Sequence, residues 1–187
     1  MTSPIKFNLF YLSALILAIL AAIPYFPKPP QSLPAPKQTL GAISSPPASA
    51  SGYLVTSIVD GDTIKVMMGD QLETVRLLAI NTPETHKPGT PVECYGPEAS
   101  AHLQELIGTS RVILTSDTIQ GDRDRYGRLL RYVYLPDGTL VNAKMVADGY
   151  ALAYTALKSD QLDKILSLEL LARSQNLGLW AECNYAN

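Results

Sequence analysis

The sequence has no excess of basic residues: 15 Lys and Arg stand against 17 Asp and Glu in 187 residues, for a formal net charge of −2. Read as one number, that balance argues against a protein that holds nucleic acid through a broad positive surface. Composition extremes are also missing, which excludes a collagen-like chain, a fully disordered chain and a polytopic membrane protein. No internal repeat is present. The first 51 residues contain no Asp or Glu at all, and Phe7 to Phe26 contains no charged residue of either sign.

These absences divide the chain. Lys6, Lys28 and Lys37 give the anterior part +3, whereas the residues after Ser51 carry 12 Lys and Arg against 17 Asp and Glu, a net −5. The uncharged run is almost wholly Leu, Ile and Ala from Leu9 to Ile23. As a helix rising about 1.5 Å per residue it would span roughly 30 Å, the thickness of a bilayer core. Residues 1–26 therefore read as a membrane anchor or a secretory signal. The anchor is favoured, because Leu20 rather than a small residue stands two places before Ala22. Residues 27–51 hold seven of the 14 prolines among Ser, Ala and Gln and read as a semi-extended linker.

Residues 52–187 are long enough to bury one core. Tyr53 to Val59, Thr63 to Met68 and Gln71 to Leu78 are rich in Val, Ile, Thr and Leu, with Asp60-Gly61 and Gly69-Asp70 as turns between them, so they read as an antiparallel meander. Pro97 followed by Glu98 to Ile107 reads as a helix. Arg111 to Thr115 and Arg128 to Leu135 read as strands. Val141 to Asp148 and Ser159 to Ser174 read as helices, the second with Ser159 as N-cap. The expectation is an α+β fold: a five-stranded Greek-key barrel of the oligonucleotide-binding (OB) type with three helices.

Three motifs carry chemistry. In VDGDTI, Asp60 and Asp62 flank Gly61; Asp62 can project into a cleft and ligate a hard cation, or the pair can serve a plain hairpin turn. In RLLAINTPE, Arg76 shares side-chain parity with Leu78 and Ile80, which points it to the barrel side and demands either a structural carboxylate or a ligand phosphate. In DRDRYGRLLRYVYL, the mixed charges read as a self-neutralised turn, except that Arg128 follows the turn pair Tyr126-Gly127 and can face the same cleft as Arg76.

Together with YGPEAS, LVNAKMVADGYA and the closing LGLW, these motifs resemble the staphylococcal nuclease (thermonuclease) family over Gly52 to Trp180. The resemblance implies an OB barrel that hydrolyses DNA and RNA with Ca2+ and leaves 3′-phosphate products. It assigns Ca2+ to Asp62 and the Thr82 carbonyl, the general base or water-orienting role to Glu84, and phosphate binding to Arg76 and Arg128. Asp60 would support the site through water, and Arg125, Tyr126 and Tyr154 would contact the nucleotide. Asn81 stands where the family usually has a second Ca2+-binding aspartate. Its amide oxygen can still ligate, but a carboxylate about 4 Å from a divalent ion, at an effective dielectric near 20, is worth roughly 8 kcal/mol before desolvation.

Cys94 and Cys183 flank the helical region. A bridge between them would tie the chain end to the loop beyond the active-site strand and place the domain outside the cytoplasm, membrane-anchored or secreted; the alternative is two free thiols. His86 and His102 read as solvated or structural. The chain reads as a monomer. The functional expectations are a Ca2+-dependent nuclease or, because of Asn81, a catalytically weakened OB module that binds nucleic acid or protein.

Overall fold

The structure, a computed structural model, describes residues 52–85, 89 and 91–184; the anterior segment, the linker and His86 lie outside the described residues. The meander is present as β1 (Tyr53–Asp60), β2 (Thr63–Met68) and β3 (Gln71–Leu77). Asp60 pairs with Thr63 across Gly61-Asp62, and Met68 pairs with Gln71 across Gly69-Asp70. A two-residue β4 (Ile80–Asn81) follows, then α1 (Gly96–Ile107), β5 (Arg111–Thr115) and β6 (Leu129–Tyr134). The chain continues through α2 (Val141–Ala147), a short β7 (Leu152–Ala153), α3 (Leu162–Ser174) and the single turn α4 (Leu179–Glu182).

The strands close into a barrel in the order β1-β2-β3-β6-β5. All neighbours are antiparallel except β3 and β6, where Val75, Arg76 and Leu77 run parallel to Leu129, Leu130 and Arg131. Ile64, Val66, Val75, Leu77, Val112 and Val133 fill the interior; Leu103 and Ile107 of α1, Met145 of α2 and Ile165 of α3 complete the buried cluster. The fold is the OB-type α+β barrel that the alternating strands imply.

Two local expectations give way. Arg76 does not share a face with Leu78 and Ile80 through a continuous strand, because β3 ends at Leu77 and Ala79 adopts φ 63. Within β3 the fully buried residues are Val75 and Leu77, so Arg76, between them, points outward from the barrel core. Nor does Ser159 cap α3. The Asp160 N–H donates to Asp117 (2.7 Å) and the Gln161 N–H to the Tyr132 hydroxyl (3.1 Å), which holds residues 159–161 in a loop and delays the helix to Leu162. Arg128 likewise lies one residue ahead of β6 rather than opening it.

The carboxyl-terminal end is fixed by a backbone-to-backbone approach. Gly149 (φ 80) and Gly178 (φ 53) lie so close that a Cβ on Gly149 would meet the Leu177 carbonyl oxygen at 2.2 Å, and the Leu179 N–H donates to the Gly149 carbonyl at 2.8 Å. Cys94 and Cys183 form a disulfide across a sequence separation of 89, which fastens α4 to the start of α1. His102 stacks on Tyr150 at 3.9 Å and contacts Asp148 at 2.9 Å, a structural placement as read from the sequence.

Candidate active site

A cleft of about 1070 Å³ opens where the β1–β2 turn, the end of β3, the segment after β4, the loop before β6 and the loop after β7 converge. All ten residues singled out above for metal, catalysis and nucleotide contact line it: Asp60, Asp62, Arg76, Asn81, Thr82, Glu84, Arg125, Tyr126, Arg128 and Tyr154.

Asp62 is central and buried, at 7% exposure. Its Oδ1 accepts from the Thr63 hydroxyl at 2.8 Å. Its Oδ2 accepts from the Thr82 N–H at 3.2 Å and pairs with Arg76 Nη2 at 2.8 Å. The same Nη2 donates to Asn81 Oδ1 at 3.1 Å, Nη1 donates to the Leu77 carbonyl at 2.7 Å, and Asn81 Nδ2 donates to the Thr82 carbonyl at 3.3 Å. Burial lowers the Arg76 pKa and the positive charge of Arg128 adds to that, while Asp62 opposes both. A guanidinium cannot shed its proton in a protein, so the outcome is a strong local demand for anionic partners.

The remaining polar groups hold the loops. Asp60 Oδ1 accepts directly from the Gly61 N–H (2.8 Å), the Thr85 hydroxyl (3.1 Å) and the Ser100 hydroxyl (3.3 Å). It therefore ties the segment carrying Glu84 to α1. Glu84 and Glu93 close that segment reciprocally: the Glu93 N–H donates to the Glu84 carbonyl and the Glu84 N–H to Glu93 Oε2, both at 2.9 Å. Gly96 permits the closure, since a Cβ there would press on Thr85 Cγ2 at 2.8 Å and the Glu84 carbonyl at 3.1 Å.

On the opposite wall Asp124 organises the arginine hairpin. Its Oδ1 accepts the N–H groups of Tyr126 (2.9 Å) and Arg128 (3.0 Å), and its Oδ2 accepts Arg128 Nε at 2.7 Å. Burial alone would raise the Asp124 carboxyl, but these bonds hold it below the usual carboxylate range. Among the described residues no hydrogen bond engages the Nη atoms of Arg128. Arg125 lies 4.8 Å over the ring of Tyr126, which is 69% exposed at the cleft mouth. The Asp124–Arg128 pair bears out the self-neutralised turn expected of this run and adds the aiming of Arg128, whereas Glu93 carries no local signal in the sequence.

The donor set suits a hard cation. Asp62, the Asn81 amide and the Thr82 carbonyl supply only oxygens, and the buried Thr82 hydroxyl beside them has no hydrogen-bond partner among the described residues. Among the described residues no three His, Cys, Asp or Glu side chains group so as to hold a metal ion by themselves, so any cation here would lean on the amide and carbonyl oxygens beside Asp62.

The model of the family described as staphylococcal nuclease homologue matches residues 74–182. The chain is 42% identical over 130 residues to the SPbeta prophage-derived endonuclease YokF of Bacillus subtilis (strain 168), covering 68% of this chain and 43% of that protein. It is 40% identical over 130 residues to Endonuclease YncB of the same organism, covering 68% of this chain and 60% of that protein. It is 36% identical over 138 residues to the Thermonuclease of Staphylococcus intermedius, covering 73% of this chain and 80% of that protein. The match thus spans about half the length of the two Bacillus proteins.

Proposed function

Because the chain belongs to the staphylococcal nuclease homologue family, we propose that it is a nuclease that hydrolyses phosphodiester bonds of DNA and RNA with Ca2+ and leaves the phosphate on the 3′ oxygen. The observation that carries this reading is that Arg76 and Arg128 line one cleft together with Asp62 and Glu84.

Asp62, Asn81 and Thr82 would hold the cation, which when bound supplies positive charge for the non-bridging phosphate oxygens. Arg76 and Arg128 bind those same oxygens, and the repulsion between their charges is relieved by the arriving phosphate. Glu84 accepts a proton from the attacking water, within hydrogen-bond reach of it. Tyr126, Arg125 and Tyr154 orient the nucleotide by stacking and polar contact. The exposed rings of Tyr126 and Tyr154 favour unpaired over duplex strands. The apolar run 7–26 serves as an anchor or export signal, so the enzyme works outside the cytoplasm as a monomer; the disulfide supports that placement.

Cleavage of single-stranded DNA by the purified full chain should require added Ca2+, stop with chelator, and fall by at least a hundredfold in Glu84→Gln. Equal cleavage by wild type and variant, or none at any Ca2+ concentration, would refute the proposal. Asn81 supports one other reading. Its oxygen is engaged by Arg76 and brings no charge to the cation, so retention of oligonucleotides without cleavage would identify a weakened binding module.

A further inference from the structure

Glu73 lies on β3, three residues before Arg76, and nothing in its sequence context marks it. Its two carboxylate oxygens accept two parallel bonds from Arg123, Nη1 to Oε2 at 2.8 Å and Nη2 to Oε1 at 2.9 Å. Arg123 Nη1 also donates to the Gly127 carbonyl at 2.7 Å. One guanidinium thus joins the strand that carries Arg76 to the peptide group just ahead of Arg128. The hairpin it grips is closed by Arg123 bridging Leu129, and by the Leu130 N–H to the Asp122 carbonyl at 2.9 Å. The Asp124 N–H to the Arg128 carbonyl and the Gly127 N–H to the Asp124 carbonyl, both at 3.0 Å, complete it.

The hydrogen bonds from Arg123 hold the Glu73 carboxyl below its usual range, so the fork is charged at neutral pH. A bidentate pair of this kind fixes orientation as well as distance. It contributes little to global stability, because both partners reach solvent. Its effect is therefore positional.

We propose that Glu73 and Arg123 are positioning residues that set the spacing between Arg76 and Arg128, so that both guanidiniums engage one phosphate. This rests on the nuclease reading above. Arg123 touches no substrate in this scheme; it acts through the Gly127–Arg128 peptide. Arg128 also keeps its tie to Asp124, so loss of the fork loosens and shifts the hairpin, whose internal bonds open more often, without releasing Arg128 from it. A displacement of about an ångström in a group that stabilises the transition state can lower the rate up to a hundredfold.

The test uses Glu73→Gln in the full chain, with hydrogen exchange and kinetics read on the same preparation. The amides of Asp124, Gly127 and Leu130 should exchange about tenfold faster than in wild type, while the global Tm moves by less than about 2 °C. On single-stranded DNA, kcat should fall about tenfold with KM changed less than threefold. In the Arg128→Lys background, the same substitution should cost less than a further twofold, because its target is already gone. Unchanged exchange across 122–130 would overturn the clamp whether or not the protein cleaves DNA. An equal loss in both backgrounds, or a loss that tracks a falling Tm, would overturn the coupling to Arg128. Failure of the wild type to cleave would instead refute the nuclease reading, and the exchange result would still decide whether the clamp exists.

Discussion

Replacing Cys94 and Cys183 together by serine removes a constraint across a sequence separation of 89. In the chain-entropy description, a loop of that length contributes about 4.5 kcal/mol at 25 °C by restricting the unfolded ensemble. A folded unit of about 130 residues gains about 2.1 cal/mol/K of entropy per residue on unfolding, or roughly 0.27 kcal/mol/K, so the expected fall in Tm is about 16 °C. The assay is thermal unfolding by circular dichroism, paired with urea titration. If the effect resides in the unfolded chain, the m-value should rise as that chain expands. The bridge also acts locally, since Cys94 adjoins Glu93, whose carboxylate and N–H hold the Glu84 peptide. Exchange of the Glu93 amide should therefore rise in the serine variant at temperatures where the fold is intact. A Tm shift below about 3 °C, or recovery of two alkylatable thiols from unreduced wild type, would refute the reasoning.

Asn81→Asp places a carboxylate against both Arg76 and the proposed Ca2+ site; calorimetry should show tighter Ca2+ binding by about tenfold, and unchanged affinity would exclude position 81 as a ligand. Asp117 accepts from the Asp160, Gln120 and Ile119 N–H groups and from the Tyr132 hydroxyl; burial pushes its carboxyl up, but these bonds outweigh it and leave the pKa lowered. The folded pKa lies below the unfolded one, so this stabilisation is present above about pH 4 and is lost as pH falls through the folded value. Asp117→Asn should thus cost about 2–3 kcal/mol at pH 7, with the gap from wild type narrowing below about pH 4 in urea titrations. Gly178→Ala should destabilise by more than about 3 kcal/mol, because the added methyl meets the Gly149 carbonyl oxygen at 2.3 Å where neither backbone can yield; a loss under 1 kcal/mol would show that the two segments can separate.

Much of this architecture was legible because it is local. The turn expected at Asp60-Gly61, which closes one residue later over Gly61-Asp62, the turn at Gly69-Asp70 and the alternating Val, Ile and Thr of β1–β3 follow from nearest-neighbour chemistry, and the motif order located the cleft. Arg76 was identified as needing an anion, yet on the wrong premise. Shared parity with Leu78 and Ile80 requires a strand running through Ile80, whereas the left-handed turn at Ala79 has no sequence signal, since alanine rarely adopts it. The Glu73–Arg123 fork joins residues 50 positions apart, and such a pairing depends on which strands the barrel brings side by side. Ser159 failed as a cap for a similar reason: a buried carboxylate more than 40 residues away had claimed the Asp160 N–H.

The parallel β3–β6 pairing has a consequence for how the protein comes to exist. Val75 meets Leu129, and the two arginines that face the cleft flank this contact, one on each strand's side of it. While residues 129–134 are still unpaired, β3 is an open edge, and Arg76 and Arg128 are separated by a free length of chain. Pairing β6 with β3 and bringing the two proposed phosphate-binding arginines together are therefore one event in folding. A chain still threading out of a ribosome has no half-built version of this cleft.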